Sequence, residues 1–370
     1  MKVINCNLEE VHKVIGKNKI VLFGCGSWLG LINHTPIMKY QSKFAYIIDN
    51  NPGGTVSIGS SDLAVYSPDK IKGESKCDII ITSPVYMYDM YMQLNQMDLS
   101  NEIRCFFFPF MVLETSGNED GVLLKEVINA HSERKIPKII HSFWFSGEPK
   151  ADSYQRCIDS WIKMLPDYEI IEWNMDNYDW HKHPFVKKAV ELKAWAFASD
   201  YARLDVLNEI GGIYMDADVE VFRKFDDLLG NNAILSFSNC IQIDLAFMAS
   251  KKNNSLIKNL LDIYNNIEIP YDRKLFTKYF QPALIRETLV ENGIRMDGSL
   301  QRTKDVTVFP NKFFMPQDFI LFRDYDKTQH TYCVHYDNFG WSFSKDNKRN
   351  KKIHDNNLLW KLVEKEKICE

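Results

Sequence analysis

The chain has 370 residues, 45% hydrophobic, 25% charged and 13% aromatic, the composition of a folded protein with enough length for two hydrophobic cores. A net charge of −4 argues against a nucleic-acid binder, which would carry a strongly basic face. The 8 cysteines are scattered with no C-x-x-C pair and no tight Cys/His cluster, which speaks against a disulfide framework or structural zinc and for a reducing, cytoplasmic setting.

In chain order, residues 19–23 (Lys-Ile-Val-Leu-Phe) read as a buried strand running into Gly24-Cys25-Gly26. Strands at 44–48, ending at Asp49, and at 78–81, ending at Thr82-Ser83-Pro84, alternate with longer helical stretches, the pattern of a doubly wound parallel sheet. A smaller Rossmann-like domain is therefore expected over 1–114. Gly24-Cys25-Gly26-Ser27-Trp28-Leu29-Gly30 is one residue longer than the dinucleotide fingerprint. Gly24, Gly26 and Asp49 form a candidate second nucleotide site. The alternative is a scaffold that keeps the tight turn without a ligand, and Trp28, crowding the phosphate position, favours it. The greasiest stretch, 106–113, is cut by Pro109 and is too short to span a bilayer, and the first residues lack the apolar segment and cleavage site of a secretory leader.

A linker and short helix are expected over 115–135, then a second α/β domain over 136–343. Its first strand spans 138–145 and is followed by an amphipathic helix over 153–165, with Tyr154, Cys157, Ile158, Trp161, Ile162 and Leu165 on one face. A strand at 168–173 and helices between 184 and 210 follow, ending at Gly211-Gly212, a helix C-cap signal. Ile213-Tyr214-Met215 then delivers Asp216-Ala217-Asp218 at the carboxyl end of a strand, where ligands collect in open α/β sheets. Residues 344–370 read as a basic tail (Lys345, Lys348, Arg349, Lys351, Lys352) and a closing helix. The tail is either solvated or in contact with anionic lipid at the inner face of a membrane.

A D-x-D on an extended segment sets two carboxylates on one side of the chain, as a divalent cation holding a diphosphate requires. Asp324-Tyr325-Asp326 repeats the spelling with no apolar strand leading into it and reads as a surface turn. Upstream, Asp200 and Arg203 are three residues apart and share one helix face. They form either a surface ion pair of little value or a donor-facing pair, Asp200 towards sugar hydroxyls and Arg203 towards sugar or diphosphate. The adjacent Gly-Gly-Ile-Tyr-Met-Asp-Ala-Asp favours the second.

Residues 198–218, as A-x-x-D-x-x-R followed by G-G-I-Y-x-D-x-D, resemble the sugar-binding region of glycosyltransferase family 32, which includes capsular-polysaccharide enzymes and relatives of yeast mannosyltransferases. They are also similar to the glucosylating clostridial toxins. Ile136-Pro137-Lys138-Ile139-Ile140-His141-Ser142-Phe143-Trp144 matches the family's first strand, and the resemblance covers residues 136–343. It implies a GT-A fold, retaining transfer and a Mn²⁺ or Mg²⁺ ion. By position it assigns base stacking to Trp144, donor contacts to Asp200, Arg203, Tyr214 and Asp216, metal ligation to Asp218 with Asp216, and completion of the metal or diphosphate site to His335. Trp341 would also meet the donor, but it sits in Phe339-Gly340-Trp341-Ser342 where the family prefers Ser before Trp. Gln281-Pro282 replaces the family's Gly-Pro.

The expected reaction moves a sugar from a nucleotide-sugar, foremost a UDP-sugar, to a glycan or lipid-linked acceptor in capsular or other surface-polysaccharide synthesis, with no nucleic-acid partner. Retention is met either by front-face attack or by a protein nucleophile, for which Asp244 is the candidate. A nucleotide-sugar hydrolase and a nucleotide-sugar-binding protein without turnover are the alternatives. An NAD-dependent oxidoreductase is disfavoured by the lengthened glycine motif and by the lack of an evident Tyr-x-x-x-Lys.

Overall fold

The structure is a computed structural model that describes residues 1–15, 17–113, 121–129, 133–318, 321, 323–324, 328–336 and 347–366. It divides into two compact units, Met1–Ser116 with Asp318–Arg323 and Asp346–Glu370, and Gly117–Gln317 with Asp324–Lys345. Residue 115 to 120 of the expected linker, Tyr325 and Asp326 of the second D-x-D, Trp341 and Lys345 lie outside the described residues.

The first unit is built on a 7-stranded sheet in the order Lys2–Val3, Arg104–Phe107, Asp78–Ile81, Ile20–Phe23, Phe44–Ile48, Ser61–Tyr66, Thr55–Ile58. All neighbours are parallel except the terminal hairpin Thr55–Ile58/Ser61–Tyr66. The five central strands follow the doubly wound order, with the reversal beside Ile20–Phe23. Ile20–Phe23 and Asp78–Ile81 are buried at every position, as strands covered on both faces must be. Gly24 closes the first strand with φ +111°, and a Cβ there would lie 2.8 Å from Thr82 Oγ1, so the turn requires glycine. The expected closing helix is longer than its apolar residues indicated, spanning Asn347–Val363. Leu359, Trp360 and Val363 enter the first unit's core, where Trp360 meets Phe110 edge-on at 4.9 Å.

The second unit carries another 7-stranded sheet, ordered Gln301–Arg302, Thr307–Phe309, Ala233–Asn239, Gln242–Ser250, Gly212–Met215, Ile139–Phe143, Glu169–Trp173. Gly212–Met215 is parallel to Ile139–Phe143 and antiparallel to Gln242–Ser250. Mixed α/β sheets rich in parallel pairs, with an acidic pair at the carboxyl end of a strand, are the arrangement the GT-A resemblance implied. Helix Asp152–Met164 buries Cys157 and Trp161 but leaves Ile162 60% exposed, so the apolar stripe is narrower than periodicity suggested. The helical stretch after Pro184 is two helices, Pro184–Glu191 and Trp195–Glu209.

Gly211 and Gly212 do more than cap the second of these. They have φ +76° and +121°, and a Cβ would lie 2.6 Å from Lys252 N at Gly211 and 2.6 Å from Ile139 O at Gly212. The pair lets the helix turn directly into a strand pressed against its neighbours. His141, buried on the adjacent strand, fastens this corner: Nε2 bonds the Gly211 carbonyl at 2.9 Å and Nδ1 accepts from Trp173 Nε1 at 3.0 Å. Burial lowers its pKa below the ordinary imidazole value, keeping it neutral. His141→Phe should therefore cost about 1–3 kcal/mol by stranding both partners. Stability of the parent should also fall as pH drops through about 6.5, because the unfolded imidazole takes a proton that the folded one resists. Urea denaturation of both proteins across pH 5–8 tests this, and an identical pH slope in the variant would remove His141 as the cause.

Candidate active site

Helix Trp195–Glu209 and strand Gly212–Met215 bring four of the expected residues together. Arg203 is 5% exposed, and its guanidinium is fully engaged by the chain itself. Nη2 lies 2.9 Å from Asp200 Oδ1 and 3.5 Å from Asp216 Oδ1, Nη1 donates to Leu245 O at 3.0 Å, and Nε donates to Ser199 O at 3.2 Å. The group lies 4.5 Å from the Tyr214 ring centroid. Burial opposes the positive charge, but Asp216, Tyr214 and Asp200 outweigh it and the pKa rises. Arg203 thus fixes two carboxylates.

Burial pushes the Asp200 carboxyl up to about 7, with Arg203 holding it down and Asp216 and Asp244 raising it further. Asp216 is likewise raised by burial, against Arg203. Its Oδ1 also accepts the Tyr214 hydroxyl, and its Oδ2 carries no hydrogen bond among the described residues. Asp244 projects from the neighbouring strand with Oδ1 accepting from Ala246 N at 2.8 Å.

Past Asp216 the chain turns, with Val219 N donating to Asp216 O at 3.0 Å. Strand Val219–Val221 then pairs antiparallel with Cys333–His335, Val219 opposite His335. That pairing sets His335 Nε2 at 3.3 Å from Asp218 Oδ1 and lets Tyr336 N bond Asp218 O at 3.1 Å. Asp216, Asp218 and His335 each offer a ligand atom, all within 4.8 Å of one another. Two carboxylates and an imidazole in that space fit a divalent ion.

Trp144 follows strand Ile139–Phe143. Its indole Nε1 donates to Glu148 O at 2.7 Å, Lys150 Nζ lies 4.9 Å from its ring centroid, and Tyr154 meets it edge-on at 5.4 Å. Lys150 is in turn paired with Glu172 at 2.8 Å. Tyr336, absent from the sequence expectations, bonds Glu220 Oε2 at 2.5 Å and lies under Arg156. Its place beside His335 in the sequence was the available signal. Gln281, the departure from Gly-Pro, is buried and donates to Asp200 O at 2.7 Å and to Tyr264 OH at 2.8 Å.

In the first unit, the Asp49 carboxylate accepts from Cys25 N and from Asn51 N, each at 2.8 Å. Both oxygens of the candidate second nucleotide site's acid therefore serve the loop itself.

Residues 151–235 match the family model described as a glycosyltransferase sugar-binding region containing a DXD motif, so the chain carries a glycosyltransferase domain. Inositol phosphoceramide mannosyltransferase 3 of Schizosaccharomyces pombe is 26% identical over 192 residues, 47% of this chain and 52% of that one. Mannosyl phosphorylinositol ceramide synthase SUR1 of Saccharomyces cerevisiae is 25% identical over 186 residues, 46% of each chain. The chain spans about half the length of these curated relatives. Among solved structures, a PaToxG glycosyltransferase is similar over 46% of this chain and 75% of its own, at 17% identity and a TM-score of 0.34.

Two outcomes follow from the geometry. His335→Ala should weaken Mn²⁺ binding at least about tenfold, since it removes one of the three candidate ligands. Calorimetric titration with Mn²⁺ checks this, and undiminished affinity would take His335 out of the ligand set. Arg203→Lys should cost about 2–4 kcal/mol of stability, because a lysine cannot reach the Leu245 carbonyl and both carboxylates together. A melting curve within a degree of the parent would contradict the anchoring role.

Proposed function

We propose that the chain is a metal-dependent, retaining sugar transferase that uses a nucleoside-diphosphate sugar. The observation that carries the reading is the Asp216, Asp218 and His335 cluster at the carboxyl end of a strand, inside and beyond a matched sugar-binding region. Asp218, Asp216 and His335 hold the ion. When bound, it would neutralise charge on the diphosphate leaving group as a Lewis acid. The imidazole ligand favours Mn²⁺ over Mg²⁺, which prefers an all-oxygen shell.

The chain's own residues account for the rest. Trp144, steadied by its indole bond to Glu148, offers a flat apolar face for the base. Asp200 and Asp216, clamped by Arg203, accept from hydroxyls of the donor sugar or ribose. The site is preorganised, so little reorganisation accompanies transfer. Front-face attack by the acceptor is favoured over a covalent intermediate, because it needs no protein nucleophile.

The two fungal relatives are named an inositol phosphoceramide mannosyltransferase and a mannosyl phosphorylinositol ceramide synthase, so mannose is the sugar to test first. The ceramide in both names points to a lipid-linked acceptor, and the surface-polysaccharide setting implied by the sequence resemblance points to a glycan. No helix among the described residues is long and apolar enough to cross a membrane.

The test is nucleoside-diphosphate release from a panel of UDP- and GDP-sugars with Mn²⁺, with and without EDTA. Release from one donor is expected, abolished by chelation and by Asp218→Asn while the variant stays folded. Full activity in that variant would sink the site assignment. Silence across the panel, with no thermal shift from UDP, GDP or metal, would favour a protein without turnover.

A further inference from the structure

Tyr154 stands in the first turn of helix Asp152–Met164, and by spacing it belongs with the residues that helix buries. Its surroundings are different. The ring is half-buried and packs edge-on against Trp144 at 5.4 Å. Its phenol stands in the field of the Asp218 and Asp216 carboxylates, which together with burial, the larger cause, raise its pKa and keep the O–H protonated. That hydroxyl has no hydrogen-bond partner among the described residues, although neighbouring Tyr214 and Tyr336 each spend theirs on a carboxylate.

On the donor-site reading, a nucleoside diphosphate has its base on Trp144 and its diphosphate towards Asp216 and Asp218. Tyr154 touches the first landmark and feels the second. We propose that Tyr154 is a donor-binding residue whose hydroxyl donates to a phosphate oxygen of the nucleoside diphosphate, between the base platform and the metal-holding carboxylates. The inference rests on the donor-site reading above and adds a residue to it. An O–H is suited to this position because it supplies a donor without a positive charge that would compete with the metal for the same two carboxylates.

The experiment compares the parent with Tyr154→Phe, which keeps the ring against Trp144 and removes only the hydroxyl. UDP and GDP are titrated calorimetrically with saturating Mn²⁺, uridine and guanosine are titrated by NMR, and Mn²⁺ is titrated alone. Loss of one hydrogen bond to a charged group should weaken the nucleotide that binds by about tenfold. Affinity for the matching nucleoside and for Mn²⁺ alone should be unchanged. Unchanged nucleotide affinity would overturn the proposal, and so would an equal loss for the nucleoside, which would mean a ring-packing role. If the parent binds neither UDP nor GDP with Mn²⁺, the donor-site reading itself fails, a result distinct from any effect of Tyr154→Phe.

Discussion

The second unit depends on one buried charge. Burying a guanidinium to 5% exposure costs least when its donors are met, and Arg203 is met by two carboxylates, two backbone carbonyls and an aromatic face. Those partners come from its own helix, the D-x-D strand and the adjoining antiparallel strand. The same contacts that discharge the cost of burying Arg203 therefore fix the helix-to-sheet geometry and the directions of Asp200 and Asp216. A lysine would offer one point of charge where a planar fork reaches several acceptors at once.

The other half of the site is assembled by chain return. His335 is far from Asp218 in sequence, and a three-residue antiparallel pairing, Val219–Val221 with Cys333–His335, puts it opposite the residue that follows Asp218. Trp161 Nε1 bonds Val219 O at 2.7 Å and Ser160 Oγ accepts from Val221 N at 2.8 Å, so helix Asp152–Met164 holds the inner strand of that pair. One helix thus supports the metal-side strand and presents Tyr154 at its start, which makes position along the helix as informative as the face occupied.

Much of this was legible in local sequence. Apolar runs ending in Gly, Asp or Thr located Ile20–Phe23, Phe44–Ile48, Asp78–Ile81, Ile139–Phe143 and Gly212–Met215, because buried parallel strands read as unbroken hydrophobic stretches. The long hairpin Ala233–Asn239/Gln242–Ser250 is harder to read from the sequence, since Ser236, Ser238, Asn239, Gln242 and Asp244 interrupt its apolar pattern. The nearness of Arg203 and Asp200 followed from helical spacing, but the anchor on Leu245 did not, because its acceptor is a backbone carbonyl and leaves no trace in residue identity. Periodicity gave Tyr154 and Ile162 to one stripe. Packing left Ile162 exposed and set Tyr154 beside Trp144, because periodicity reports direction around a helix and says nothing about what lies opposite.

The first unit shows how a motif can persist for structural reasons. Gly24 is required by the close approach of Thr82, whose hydroxyl bonds the carbonyls of Phe23 and Gly24, each at 3.0 Å. Asp49, the residue that would greet a ribose in a dinucleotide site, uses one oxygen on Cys25 N and the other on Asn51 N. Within the glycine turn, Gly24 N bonds Ile48 O at 3.0 Å and Cys25 N bonds Asp49 Oδ2 at 2.8 Å, so its first two amides are met inside the fold. The clustered carboxylates and imidazole of Asp216, Asp218 and His335 stand in the second unit. The first unit's core is completed by the chain's own terminal helix, through Leu359, Trp360 and Val363.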